Sequence, residues 1–433
     1  MIGLRLCSFA IVGVLSLSLA PISFAAKTKA KSKSKASAKS KASTKSSAKA
    51  SPTPAPKPSP SPAENKDWQV IKIGTRDYLT IDNVAKFYGM IGNVDSTGKI
   101  VVLNNGRNQL QVTLDSREAV VNGVRNWLCF PVIAKDDKFL ISRIDLAKTI
   151  EPQLRPTMIP QTGKVQTVVL DPGHGGFDKG ARNKFGTEKD FALDVARKLR
   201  PMLQKKGFKV ILTRENDVFI PLHMRARIAN ATKDSVFVSL HFNGASNVEA
   251  NGLEIFSLTP RGAPSTDDNA LALRFVHMQA GSPVDAQSFL LSSTVFHSML
   301  GHLPEVDRGI KRARFAVLRL TKIPSILVEG GFMTETENSK RVADPAWREK
   351  LAESLATGIE SYRNLVEKKQ RPLLVAEYRA QAAGEITVVD LTAPPAKLEE
   401  TPPPMVPVTN PAPTPTPPLD PATAATPDPN REP

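Results

Sequence analysis

His174, Glu188, His241 and Glu329 are the residues of this 433-residue chain whose types and placement suit chemistry. His174 follows Val168-Val169-Leu170, a short apolar run with two β-branched residues that reads as a buried strand. Asp171-Pro172-Gly173 ends that run, and glycines on both sides of His174 let a ligand or metal approach closely. His241 ends a second apolar run, Ser235–Leu240, and Glu329 ends a third, Ser325–Val328. In a sheet of parallel type these ends converge on one edge, where open α/β sheets place their chemistry. Two imidazoles and a carboxylate make a three-ligand set that leaves a zinc ion a position for water. Zinc lowers the pKa of such a water to about 7. Hydrolysis of this kind also needs a carboxylate that takes the water's proton and passes it to the leaving amine, and Glu329, followed by Gly330-Gly331, is the candidate. The separations match no short metal motif. Two plainer readings therefore stay open: His174 as a loop residue capping a turn, and Glu329 as the partner of an arginine or lysine at a strand end.

The elements that must position these residues alternate strand and helix across 163–366, which predicts an α/β fold with a twisted, mostly parallel or mixed sheet between helices. Thr187 and Asp190 have capping-box spacing and place Glu188 first in a helix, whose face carries Leu193, Ala196 and Leu203. Pro201 is expected to kink or break that helix, and Gly207 to close it. Strands are expected over Lys209–Thr213 and Leu253–Ser257, with helices near Leu222–Ala231 and Pro345–Glu367. Ser288–Leu300 reads as an amphipathic helix on the site's side of the sheet. Asp171 is read as a residue that fixes the loop or the His174 ring, Asn243 as a substrate or loop contact, and Arg225 as structural or substrate-binding. The remaining histidines, His223, His277, His297 and His302, are read without a metal role.

Seven separated motifs occur in order: Val169–Gly176, Gly180-Ala181, Gly186-x-Glu188-Lys189-Asp190, Thr213-Arg214-x-x-Asp217, Arg225-x-x-x-Ala229-Asn230, Ser239-Leu240-His241-x-Asn243 and Val328-Glu329-x-Gly331-Phe332. Together they resemble the zinc-dependent N-acetylmuramoyl-L-alanine amidases of cell-wall turnover and division, over about 200 residues. The resemblance implies one zinc held by His174, Glu188 and His241, with Glu329 as catalytic acid/base. It implies cleavage of the amide between the lactyl group of N-acetylmuramic acid and L-alanine, with peptidoglycan as partner and, in some relatives, a protein activator that displaces an occluding helix. Phe242 and Gly244 depart from the family's usual small residue and alanine, which puts substrate fit in question. A peptidase of wall peptides and a non-catalytic wall-binding protein remain the alternative readings.

The rest of the chain frames this unit. Residues 1–25 read as a secretory signal, with Arg5, the apolar run Leu6–Leu19 and Ser23-Phe24-Ala25 before the cleavage point. Residues 26–65 are Lys/Ser/Ala-rich and then Pro-rich, a disordered linker that is either a solvated spacer or a polycation near anionic envelope polymers. Ten lysines and no acid lie between Lys27 and Lys57, and this segment accounts for most of the net charge of +16. Nucleic-acid binding is therefore not inferred, and a periplasmic or wall-associated monomer is expected. Only Cys7 and Cys129 occur, so no cysteine metal framework is available. Residues 66–157 predict a small α+β accessory domain with Asn-Gly turns at 105–106 and 122–123 and a helix over Ile81–Tyr88. It is similar to the stalk-like amino-terminal domain of copper amine oxidases, which implies a non-catalytic module. Residues 367–433 read as a mostly disordered Pro-rich tail.

Overall fold

The computed structural model describes residues 68–160, 163–266 and 278–385. The readings of a signal over 1–25, a linker over 26–65, and the Pro-rich part of the tail beyond 385 lie outside the described residues. The first strands are β1 (Val70–Ile73) and β2 (Arg76–Thr80), followed by α1 (Ile81–Tyr88). Thr80 caps α1, its hydroxyl accepting from the Asn83 amide at 3.1 Å, and Gly89 closes it in the left-handed region. Then come β3 (Ile91–Val94), β4 (Ile100–Asn104), β5 (Gln109–Thr113), β6 (Glu118–Val121) and β7 (Val124–Trp127). β8 (Ile133–Lys135) and β9 (Lys138–Ser142) complete this part before a run of helical turns over 143–158. The Asn122-Gly123 turn joins β6 to β7 with both residues at positive φ, the requirement of a tight hairpin. Alternate residues of β4 to β7 are buried, as a sheet with one covered face demands.

The α/β part carries β10 (Thr167–Pro172), α2 (Glu188–Lys205), β11 (Lys209–Leu212), α3 (Leu222–Asn230), β12 (Ser235–Asn243) and β13 (Leu253–Leu258). It continues through α4 (Asp285–His302), β14 (Asp307–Ala313), β15 (Ser325–Phe332), α5 (Thr336–Ala343), α6 (Pro345–Lys368) and α7 (Val375–Ala382). Strands β11, β10, β12 and β15 lie side by side and parallel, with β13 antiparallel to β15, so the sheet is mixed. The sheet does not stop at the α/β part. β14 pairs with β7 at Ile310 and Asn126, which makes one eleven-stranded sheet in the order β11-β10-β12-β15-β13-β14-β7-β6-β5-β4-β3. Arg125 donates its amide to Asp307 at 2.8 Å and the Trp127 indole N–H to the Arg308 carbonyl at 2.9 Å, which reinforces the junction. β3 to β7 thus share a sheet with the α/β part, while β1, β2, β9 and β8 form a separate four-stranded sheet in that order.

Several expectations meet a different local outcome. α2 passes through Pro201 and ends at Lys205, so the proline does not break it. The Thr187 hydroxyl donates to the Asp190 carboxylate at 2.5 Å instead of capping a backbone amide. Ser288–Leu300, expected to form a helix packed in the core, lies in α4, which does pack there against α6, α7 and β13, but it is buried all round from Gln287 to Leu300 rather than amphipathic. It is a core helix, because a second helical layer covers the face that would otherwise meet water. A Cβ on Gly358 would stand 2.6 Å from the Val295 Cα, so glycine sets how closely α6 approaches α4. The beginning of the residues read as tail forms α7, which covers the end of α4 where Tyr378 rests on Gly301 and stacks near His302.

Phe289 of α4 is fully buried, with the Arg312 guanidinium 4.0 Å over its ring. Phe289→Ala is expected to cost about 3–5 kcal/mol of unfolding free energy, read by denaturant titration. A cost under about 1 kcal/mol would show that α4 is not part of the core.

Candidate metal and catalytic site

β10, β12 and β15 run parallel, and their carboxyl ends bring the predicted residues to one edge. His174, Glu188 and His241 each offer a ligand atom, and these atoms all lie within 4.8 Å of one another. Glu188 sits between the rings. Its Oε1 is 3.0 Å from His174 Nε2 and 2.9 Å from His241 Nδ1, and it also accepts the Phe242 amide at 3.1 Å. Its Oε2 accepts the Ala181 amide at 2.8 Å. The two imidazoles meet edge to face with centroids 5.0 Å apart. Burial works against a charged Glu188, but the two histidines outweigh it and hold the carboxyl far below its usual range. Burial likewise opposes a charged His174, yet Glu188 and Asp178 raise its pKa to about 9.

This donor set fits a divalent cation of zinc's type, which takes nitrogen and oxygen ligands three at a time in open sites. Two close approaches support the fit. A Cβ on Gly173 would stand 2.3 Å from the His241 ring, and one on Gly180 would stand 2.4 Å from Glu188 Oε2. Glycine at both positions keeps the cradle open. His174 itself has φ +58, a left-handed conformation rare outside glycine and typical of strained functional loops.

The His174 ring is oriented by a residue that the sequence did not single out. Asp178 Oδ2 lies 2.8 Å from His174 Nδ1, which leaves Nε2 to face the cluster, the arrangement in which a carboxylate fixes a metal-ligating imidazole. Asp171, read as a residue fixing the loop or the ring, fixes the loop. It is fully buried, accepts from Thr213 at 2.6 Å and Ser239 at 2.8 Å, and pairs with Arg225 at 2.8 Å. Arg225 also donates to the carbonyls of Pro172, His174 and Ile220. Arg225 is only 2% exposed, so of its two readings the structural one holds and the substrate contact does not: no donor faces solvent.

Glu329 lies within β15 rather than past its end, in register with His241 on β12 and with Glu254 on β13. Residues paired in this way point to the same face of the sheet, about 4.8 Å apart. Its Oε2 is shielded from water and makes no hydrogen bond. Burial raises its pKa well above the carboxyl range, and the neighbouring Glu188 and Glu254 charges push it further, against Lys311. The reading of Glu329 as half of a strand-end ion pair is not met, because Glu254 takes the cations: Lys311 at 2.7 Å and Arg308 at 3.0 Å. Asn243 is half-buried and donates to Glu254 Oε1 at 2.6 Å, so it joins this neighbouring network. Glu254 lies on β13, and Arg308 and Lys311 on β14, strands that carry none of the seven motifs. Phe242 points away from the site into the core against Phe191, so its bulk does not reach a substrate. A Cβ on Gly244 would stand 3.2 Å from the Ala181 Cβ.

Asp171 tests this loop. Burial alone would raise its pKa, but Arg225, Thr213 and Ser239 hold it below 3.8. Its stabilisation is therefore present in full above the unfolded carboxyl range and is lost as pH falls through the lower, folded value. Asp171→Asn is expected to cost about 3–5 kcal/mol at neutral pH, read by denaturation. The difference from the parent chain should shrink in acid, and a difference that stays constant with pH would refute the assignment.

Comparison with known proteins follows the same residues. Residues 168–361 match the family described as N-acetylmuramoyl-L-alanine amidase. Over 264 residues the chain is 34% identical to the amidase AmiC of Escherichia coli O6:H1, an alignment covering 54% of this chain and 63% of that protein. Over 244 residues it is 33% identical to the amidase AmiA of Escherichia coli K12, covering 51% of this chain and 84% of that protein. A solved amidase from Clostridium difficile 630 aligns with 46% of this chain and 97% of its own, at 31% identity and a TM-score of 0.38. The matched span holds His174, Glu188, His241 and Glu329, and the chain belongs to the N-acetylmuramoyl-L-alanine amidase family.

Proposed function

We propose that this chain hydrolyses peptidoglycan at the amide between the lactyl group of N-acetylmuramic acid and L-alanine, with His174, Glu188 and His241 holding one zinc ion and Glu329 as acid/base. The observation that carries this reading is the Glu329 carboxyl. It is half-buried, has one oxygen shielded from water and without a hydrogen bond, and lies on the strand beside His241 in register with it. A module that merely binds wall has no use for such a group next to an open metal site. When bound, zinc would acidify a water and polarise the scissile carbonyl.

The chain's own residues supply the rest. Glu329 takes the proton of the attacking water on its carboxylate and returns it to the departing L-alanine amine, which the raised affinity of that carboxyl for a proton favours. Asp178 keeps Nδ1 of His174 engaged, so that Nε2 is the ligating atom. Glu254 holds Lys311 and Arg308 beside Glu329 while its own charge helps keep the Glu329 proton affinity high. Among the described residues, no helix is long and apolar enough to cross a membrane. Export to the periplasm or wall by the general secretory route is part of this proposal and rests on the composition of residues 1–25.

The purified chain, given peptidoglycan with and without a chelator, is expected to expose new amino-terminal L-alanine without new reducing sugar ends, and only without chelator. Other amino termini would make it a peptidase of wall peptides. His174→Ala and His241→Ala are expected to lose bound zinc, measured by metal content after dialysis. Glu329→Ala is expected to keep the zinc and lose turnover by at least about a hundredfold, the scale of general acid–base catalysis. Full activity in that variant would sink the mechanism.

A further inference from the structure

The rim of the site carries a feature that the reaction has not used. Phe177, three residues beyond His174, is 78% exposed, the most exposed phenylalanine among the described residues. Its ring meets that of Phe219 with centroids 4.4 Å apart and planes tilted by 34°. Phe219 is half-buried, and its neighbour Val218 is 47% exposed. The two loops that present these rings are locked together. The Gly176 amide donates to Asp217 at 2.7 Å, and Lys189 donates both to Asp217 at 2.6 Å and to the Gly176 carbonyl at 2.9 Å. A Cβ on Gly175 would stand 2.2 Å from the Val218 carbonyl oxygen, so the loops are in direct backbone contact. Three residues of chain reach at most about 11 Å, which keeps the aromatic pair beside the metal-ligand loop. An exposed aromatic pair on pinned loops is an apolar surface held in place for something to cover it.

The strand order says which half of the substrate that is. Across the sheet run β11, β10, β12, β15, β13 and β14. Phe219 follows β11 and Phe177 follows β10, on the His174 side of Glu329. Glu254 with its partners Arg308 and Lys311 lies on β13 and β14, on the other side. The scissile amide joins a sugar to a peptide, and the peptide carries free carboxylates. Arg308, the more open of the two cations that Glu254 holds, makes that the side suited to those carboxylates. On the aromatic side the charges of Lys189 and Asp217 are paired with each other, and the rings suit the C–H-bearing face of a pyranose ring, which stacks on aromatic faces while its hydroxyls stay in water.

We propose that Phe177 and Phe219 form a glycan subsite, a stacking platform for an N-acetylhexosamine ring of the strand that bears the cleaved peptide. This rests on the amidase reading above. It makes the chain select for glycan-bearing substrates over peptides that carry the same lactyl amide without a sugar.

The test compares two substrates of the intact zinc-loaded chain: a soluble oligosaccharide of alternating N-acetylglucosamine and N-acetylmuramyl-peptide, and the same peptide bearing only an N-terminal lactyl group. The readout is release of the L-alanine amine. Phe177→Ala is expected to lower the ratio of kcat/KM for the glycan substrate over the lactyl peptide roughly tenfold, through KM, the loss expected of one aromatic anchor. Phe177→Trp is expected to restore the ratio. An unchanged ratio in Phe177→Ala, or an equal loss on both substrates, would overturn the subsite and leave the amidase reading standing. Failure of the parent chain to release an L-alanine amine from either substrate would overturn the amidase reading and the subsite with it.

Discussion

A buried ion pair holds the site. Asp171 and Arg225 are each almost wholly removed from water, and charges in that position are tolerated only when they are paired and well hydrogen-bonded. Here both conditions are met. The carboxylate also accepts two hydroxyls, and the guanidinium reaches back to the carbonyls of Pro172, His174 and Ile220. The chain leaving β10 therefore has one available path. That path puts His174 in a left-handed conformation which its side chain would not choose alone. Burial and these bonds support the structural reading of Arg225, which fixes the loop carrying His174.

The same edge sorts carboxylates by their surroundings. Glu188, between two imidazoles, is held ionised, while burial and the acidic neighbours Glu188 and Glu254 raise the proton affinity of Glu329 on the next strand. In the proposed mechanism this difference gives two glutamates of identical chemistry the separate parts of ligand and proton carrier. Glu254 makes the difference sharper: it draws Lys311 and Arg308 to itself, so Glu329 lacks an ion-pair partner among the contacts that surround it.

The extended sheet gives this edge a rigid base. Pairing β14 with β7 places β3 to β7 in the same hydrogen-bonded layer as the site, and α4 is buried on every side. A helix with no exposed face stabilises by packing, and its position does not change without disrupting the core. Ser288–Leu300 thus forms part of the core, the ordinary packing role of a patterned helix. The aromatic pair at the opposite end of the edge sits on loops that hydrogen bonds lock to the ligand loop.

The sequence by itself determined the alternation of strands and helices, the three strand ends that carry His174, His241 and Glu329, and the start of α2 at Glu188. Those features are local: apolar runs, turn residues and capping positions act over a few residues, and seven motifs in order then identify the family. α1 is legible to the residue for the same reason, with Thr80 to cap it and Gly89 to close it. Tertiary structure alone decided what depends on partners distant in sequence. It showed that Asp178, not Asp171, holds the His174 ring, that Arg225 faces inward, and that Glu254 lies opposite Glu329. It also joined the two sheets through β7 and β14, turned a patterned helix into a buried one, and set α7 over its end. A sequence records which residues are polar or apolar, but the burial that turns a charge into a clamp or a proton carrier is fixed only when distant strands and helices close around it.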